Sequence, residues 1–158
     1  MQQDPFSVME DNQFYMHLFS DASDPYFPDN VPYEFTCMLP ETITLQGRWF
    51  CALTEIEYTR KSSNAETPLH LAVYTDICRA SITGNEKCTL LRYVPATKRK
   101  GQRIYYTPGS VNYIMVNKHD IDRIRIWIKC PGSTPEAVFD AKPCRVSLHF
   151  CKGPPVVL

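Results

Sequence analysis

Seven cysteines, four histidines and a short acidic run are the side chains in this sequence that could do chemistry. The thiols are Cys37, Cys51, Cys78, Cys88, Cys130, Cys144 and Cys151. No two of them are spaced as Cys-x-x-Cys, so neither a zinc ribbon nor a redox-active pair is written into the chain. The nearest approach to a metal-ligand set is Cys144, His149 and Cys151. Alternation along an extended strand splits it, with His149 and Cys151 on one face and Cys144 on the other. Nucleophilic catalysis needs a serine or cysteine beside a base. There is no Gly-x-Ser-x-Gly, and His17, His70, His119 and His149 occupy no familiar catalytic signature. Asp21, Asp24 and Asp29 lie in a proline-rich loop whose turn chemistry accounts for them without a bound calcium. The six glycines fall mostly in turns, and none forms a phosphate cradle. No catalytic residue, cofactor or metal is therefore expected, and function falls to the surface.

The elements that must present that surface repeat with a period of two. Phe14, Met16 and Leu18 alternate with Tyr15, His17 and Phe19. Trp49, Cys51 and Leu53 take one face of a second strand, and Phe50, Ala52, Thr54, Ile56 and Tyr58 the other. Ile124, Ile126 and Ile128 alternate with Arg125, Trp127 and Lys129, and Val146, Leu148 and Phe150 with Arg145, Ser147 and His149. Further strands are expected at Tyr33–Leu39, Thr42–Leu45, Leu69–Asp76, Thr89–Val94, Arg103–Thr107, Asn112–Val116 and Ala137–Asp140. Turn residues such as Gln46-Gly47, Thr83-Gly84-Asn85 and Pro108-Gly109-Ser110 separate them. Thirteen prolines leave no room for long helices, and helical turns are expected only near Ser7–Asn12 and His119–Arg123. About eight to ten short strands at this spacing mean an antiparallel sandwich or a barrel.

Composition narrows the class further. The 158 residues suit one domain, 1–158, with a flexible N-terminal arm, 1–12, and a C-terminal tail, 153–158. Either end would be suited to reach onto a neighbouring subunit. Seventeen basic residues balance seventeen acidic ones, which argues against a protein that binds nucleic acid through phosphate neutralisation. The local exception, Lys98-Arg99-Lys100-Gly101-Gln102-Arg103, reads first as a solvated loop between strands and second as a docking patch, polyanion contact or import signal. No apolar stretch approaches the ~20 residues of a membrane-spanning helix. The start lacks the basic and apolar regions of a secretory signal, so the protein is expected to stay in the cell that makes it, with its thiols reduced.

The first strand ending at Ser20 is followed by a Phe27-Pro28-Asp29-Asn30 turn, Leu39-Pro40, Ile43-Thr44-Leu45 with Gly47 and Trp49, and Ala52-Leu53-Thr54-Glu55-Ile56-Glu57-Tyr58. In this order the segments together resemble a viral capsid family, the minor capsid or penton proteins of Polinton (Maverick) elements and adintovirus-like DNA viruses. Val73-Tyr74-Thr75-Asp76-Ile77, Gly84, Leu90-Leu91-Arg92, Ile124-Arg125-Ile126 and Leu148-His149-Phe150 extend the likeness from Phe14 to Lys152. The chain departs from the family in being short and cysteine-rich.

The resemblance implies an all-β fold, an antiparallel β-sandwich built as a single jelly roll of about eight main strands. It implies a structural virion protein whose homopentamers close the fivefold vertices of an icosahedral shell. Its partners would be copies of itself, the neighbouring major capsid protein, and a fibre or host receptor, with no specific nucleic acid. Outward apolar residues Phe6, Tyr15, Phe19, Phe50 and Trp127 are the candidate assembly contacts. The competing readings are a receptor- or glycan-binding module on the same sandwich, a host-domesticated copy of the viral gene and, more remotely, a small enzyme.

Overall fold

The computed structural model describes residues 12–62 and 67–153. In chain order the elements are β1 (Gln13–Phe19), β2 (Glu34–Thr44), β3 (Trp49–Thr59), β4 (His70–Thr75), β5 (Ser81–Thr83) and β6 (Glu86–Cys88). They continue with β7 (Leu90–Pro95), β8 (Arg103–Tyr106), β9 (Ile114–Met115), β10 (Asp120–Lys129), the single helical turn α1 (Pro135–Val138) and β11 (Arg145–Lys152). The eight principal strands make two antiparallel sheets, ordered β1-β11-β3-β8 and β2-β10-β4-β7. Successive principal strands alternate between the sheets except β4 and β7, which pair within one, and the last strand returns beside the first. That is the strand order of a jelly roll, a sandwich of two interleaved Greek keys. The short β9 adds to β3, and β5 and β6 form a separate hairpin.

The strands form where alternating apolar side chains can face the opposite sheet. On the first sheet Phe14, Met16 and Leu18 of β1 join Val146, Leu148 and Phe150 of β11 in the buried core. Phe14 stacks on Phe150 with ring centres 4.7 Å apart and tilts against Trp49 at 5.5 Å. The second sheet contributes Phe35, Cys37, Leu71, Val73, Ile124, Ile126 and Ile128.

Strict alternation fails at β-bulges. Two of them, in β3 and β10, shape the core, and a further register shift lies between Val73 and Tyr74 of β4. Leu53 pairs with Leu148 and Glu55 with Ser147, so Thr54 is an extra residue, a β-bulge. Beyond it Ile56 and Tyr58 turn into the core with Trp49, Cys51 and Leu53, instead of lying opposite them. A second bulge lies between Ile121 and Arg123 of β10. It buries Ile121 and Ile124 three residues apart, and the helical turn expected at His119–Arg123 is strand from Asp120 onward. The other expected helical turn, Ser7–Asn12, lies outside the described residues apart from Asn12.

Three further differences follow from local chemistry. The two strands expected either side of Pro40 are one, because β2 is an edge strand and its proline removes no ladder hydrogen bond there. Ala137–Asp140 is not a strand. Pro135 presets the first turn of α1, and Val138 is buried beneath it. The β5–β6 hairpin was signalled only by its Thr83-Gly84-Asn85 turn, where Gly84 takes a φ of 63°.

Truncating Phe150 to alanine removes a fully buried ring and should lower stability by about 3–5 kcal/mol. Ile82→Ala, at an 81% exposed site, should change it by less than about 0.5 kcal/mol. Urea unfolding midpoints of the two variants against the parent check this contrast.

Candidate assembly surface

The outer face of the β1-β11-β3-β8 sheet is organised in cross-strand rows set by the register. One row holds Gln13, Cys151, Phe50 and Met115, and the next Tyr15, His149 and Ala52. His17, Ser147 and Glu55 follow, and the last row is Phe19, Arg145, Glu57 and Tyr105. Three of the four described candidate contacts, Tyr15, Phe19 and Phe50, therefore share one face. Tyr15 and Phe19 are exposed, whereas Phe50 is half-buried. Trp127 lies on the outer face of the opposite sheet, on the far side of the core, so the four do not form one patch. Phe6 lies outside the described residues, as do 1–11 of the arm and 154–158 of the tail.

Trp127 is already occupied. It stacks on Tyr74 with ring centres 5.7 Å apart and planes 9° from parallel. Arg125 lies over the Trp127 ring at 4.7 Å, and Lys129 over Tyr74 at 5.3 Å. The two cations cover the outer ring faces by cation–π attraction. Arg125 is in turn ion-paired with Glu34.

Between the exposed aromatics of the first face runs a polar network. Arg145 is paired with both Glu55 and Glu57, and Arg103 bonds Glu57 at 2.9 Å. Burial alone would raise the Glu57 carboxyl, but hydrogen bonds from Arg103 and Arg145 outweigh it and hold the group below its ordinary value. Arg145 Nη1 also donates to Ser147 Oγ at 2.7 Å, and Ser147 Oγ shares a hydrogen bond with His17 Nδ1 at 2.8 Å. This is a serine beside a base, a pairing invisible in the sequence because the residues lie 130 positions apart. Ser147 is 2% exposed, so its oxygen is out of reach of a substrate, and its role is to tie β11 to β1.

His149 closes the other end of the network. Its Nε2–H donates to Gln13 Oε1 at 2.9 Å, and its Nδ1 accepts the Tyr113 hydroxyl at 2.8 Å. Tyr15 packs its ring against the imidazole at 4.5 Å. Burial lowers the His149 pKa, which suits this neutral, fully bonded ring.

The cysteines serve as small apolar residues. Cys37, Cys51, Cys78, Cys130 and Cys144 are buried, and all seven are free thiols. Desolvation raises Cys37 to about 11 and Cys130 and Cys144 to about 12. At neutral pH these three are protonated and unreactive. Among the described residues no group of three or more His, Cys, Asp or Glu side chains could hold a metal ion. No helix among them is long and apolar enough to cross a membrane.

No protein-family model matches the chain, and no curated protein matches it.

Replacing Arg145 by methionine leaves Glu55 without its cation and Glu57 with Arg103 alone, and should cost about 2 kcal/mol in a urea titration at neutral pH. The pH dependence follows from the two lowered groups. His149 titrates below its ordinary 6.5, so the unfolded chain takes up that proton first. Its contribution is complete above 6.5 and drains away as the pH falls toward the folded-state value. Glu57 behaves alike below its ordinary 4.5. His149→Gln should flatten the loss of stability that sets in as the pH falls below 6.5, leaving the acid limb due to Glu57 in place.

Proposed function

We propose that the chain is a structural virion protein, a penton or minor capsid subunit that closes the fivefold vertices of an icosahedral DNA-virus shell. The observation that carries this reading is the strand order, β1-β11-β3-β8 facing β2-β10-β4-β7. The likeness to Polinton and adintovirus-like minor capsid proteins requires a single jelly roll, and this is one. A jelly roll also serves lectin and cupin domains, so fold alone does not choose among them. The polar side chains gathered on the sheet faces favour a non-enzymatic role. They are engaged with one another, and the serine beside a base is buried.

On this reading function is mechanical. Subunits related by closed cyclic symmetry meet through unlike surfaces, one flank against the other, around the ring. Copies of the chain and the neighbouring major capsid protein are its partners, and the assembled virion is its location.

Light scattering after size exclusion tests the proposal. A closed oligomer of five 18.2 kDa chains is the expected result. A strict monomer at high concentration would favour a binding module on the same sandwich instead.

A further inference from the structure

The two flanks of the first sheet carry opposite charge at the same level. The row Phe19, Arg145, Glu57, Tyr105 crosses all four strands, a span of about 14 Å at the usual strand spacing. The β1–β2 loop leaves one residue beyond Phe19. The β7–β8 loop arrives at Arg103, which pairs with Thr59 two residues beyond Glu57. Both loops therefore leave the same end of the sandwich, one beside its first edge strand and the other beside its last.

Their chemistry is complementary. The β1–β2 loop presents Asp21, Asp24 and Asp29, all exposed, around Tyr26, which is 69% exposed. The β7–β8 loop presents Lys98, Arg99 and Lys100, the first two exposed. None of these six charges takes part in an ion pair among the described residues, whereas Arg103, Arg125 and Arg145 all do. Lys98 and Arg99 also border a recess of about 630 Å³ between β7 and β8, lined by Tyr58, Ile104 and Tyr106. Three acidic and three basic side chains of a chain with zero net charge thus sit on opposite flanks.

Both loops are held in shape before any partner arrives. Ser23 Oγ accepts from the Met38 amide at 2.8 Å, and Asn30 exchanges side-chain hydrogen bonds with the Thr36 backbone at 2.9 and 3.0 Å. On the other flank the buried Arg60 donates to the Thr97 carbonyl at 2.8 Å, and its own carbonyl accepts from the Gly101 amide. Ordered loops lose little entropy on docking.

We propose that the acidic β1–β2 loop of one subunit docks, with Tyr26 leading, into the basic-rimmed β7–β8 recess of a second copy of this chain. Unlike surfaces on opposite flanks at one level give a heterologous contact, the kind that closes rings. The inference rests on the self-assembling shell subunit proposed above and assigns the surfaces that do the joining.

Charge reversal on the full chain tests it. D21K/D24K/D29K and K98E/R99E/K100E should each raise the concentration at which the oligomer dissociates by about 100-fold or more. Combining all six substitutions should restore assembly. Thermal unfolding of each variant confirms that these surface changes leave the fold intact. A parent oligomer whose mass survives both reversals overturns the contact and leaves the shell reading standing. So does a K98E/R99E/K100E variant that keeps its mass but loses retention on a heparin column, since the basic loop then serves a polyanion. A parent chain that stays monomeric overturns both the contact and the self-assembling subunit.

Discussion

An extra residue in the middle of β3, Thr54, sets the terms for the rest of the molecule. A strand running straight through this position would have to choose between burying Trp49, Cys51 and Leu53 and burying Ile56 and Tyr58. The bulge lets it bury all five. The same half-turn sends Glu55 and Glu57 outward, where they meet Arg145 across the ladder. Core and surface network thus come from one backbone irregularity, and the strong local twist of a bulge helps the sheet wrap the core.

That network engages the histidine, serine, glutamate and arginine side chains of the outer face with one another. Each group is paired to another, and the central ones are shielded. Polar groups satisfied in this way specify register, because sliding β1 or β11 by one residue would strand them in the core. The buried thiols do a parallel job on the inner side, filling space without demanding partners.

Much of this architecture was legible in the sequence. Alternation located β1, β11 and the body of β10, and the turn residues separated the strands correctly. The bulges were not legible, since they leave apolar residues three apart, at Leu53/Ile56 and Ile121/Ile124. That spacing also belongs to a helix, and a helical turn was expected near His119–Arg123, where β10 begins. Tyr15, Phe19 and Phe50 were correctly assigned outward, but their common face depends on which strands pair. The same holds for the contact between Ser147 and His17, since no local pattern encodes pairing across 130 residues. The complementary flanks were half visible, as an acidic loop and a basic loop whose placement only the topology supplies.

One side of the sandwich carries a quieter lesson. β1 and β2 are both edge strands, and they run next to each other with a small apolar cleft of about 180 Å³ between them. Two open ladders side by side are an invitation to stray strands, most of all where many identical chains are crowded together. Pro40 and Glu41 sit on that cleft, one lacking an amide to offer and the other carrying a charge. They act as gatekeepers against the indiscriminate backbone pairing that leads to fibres.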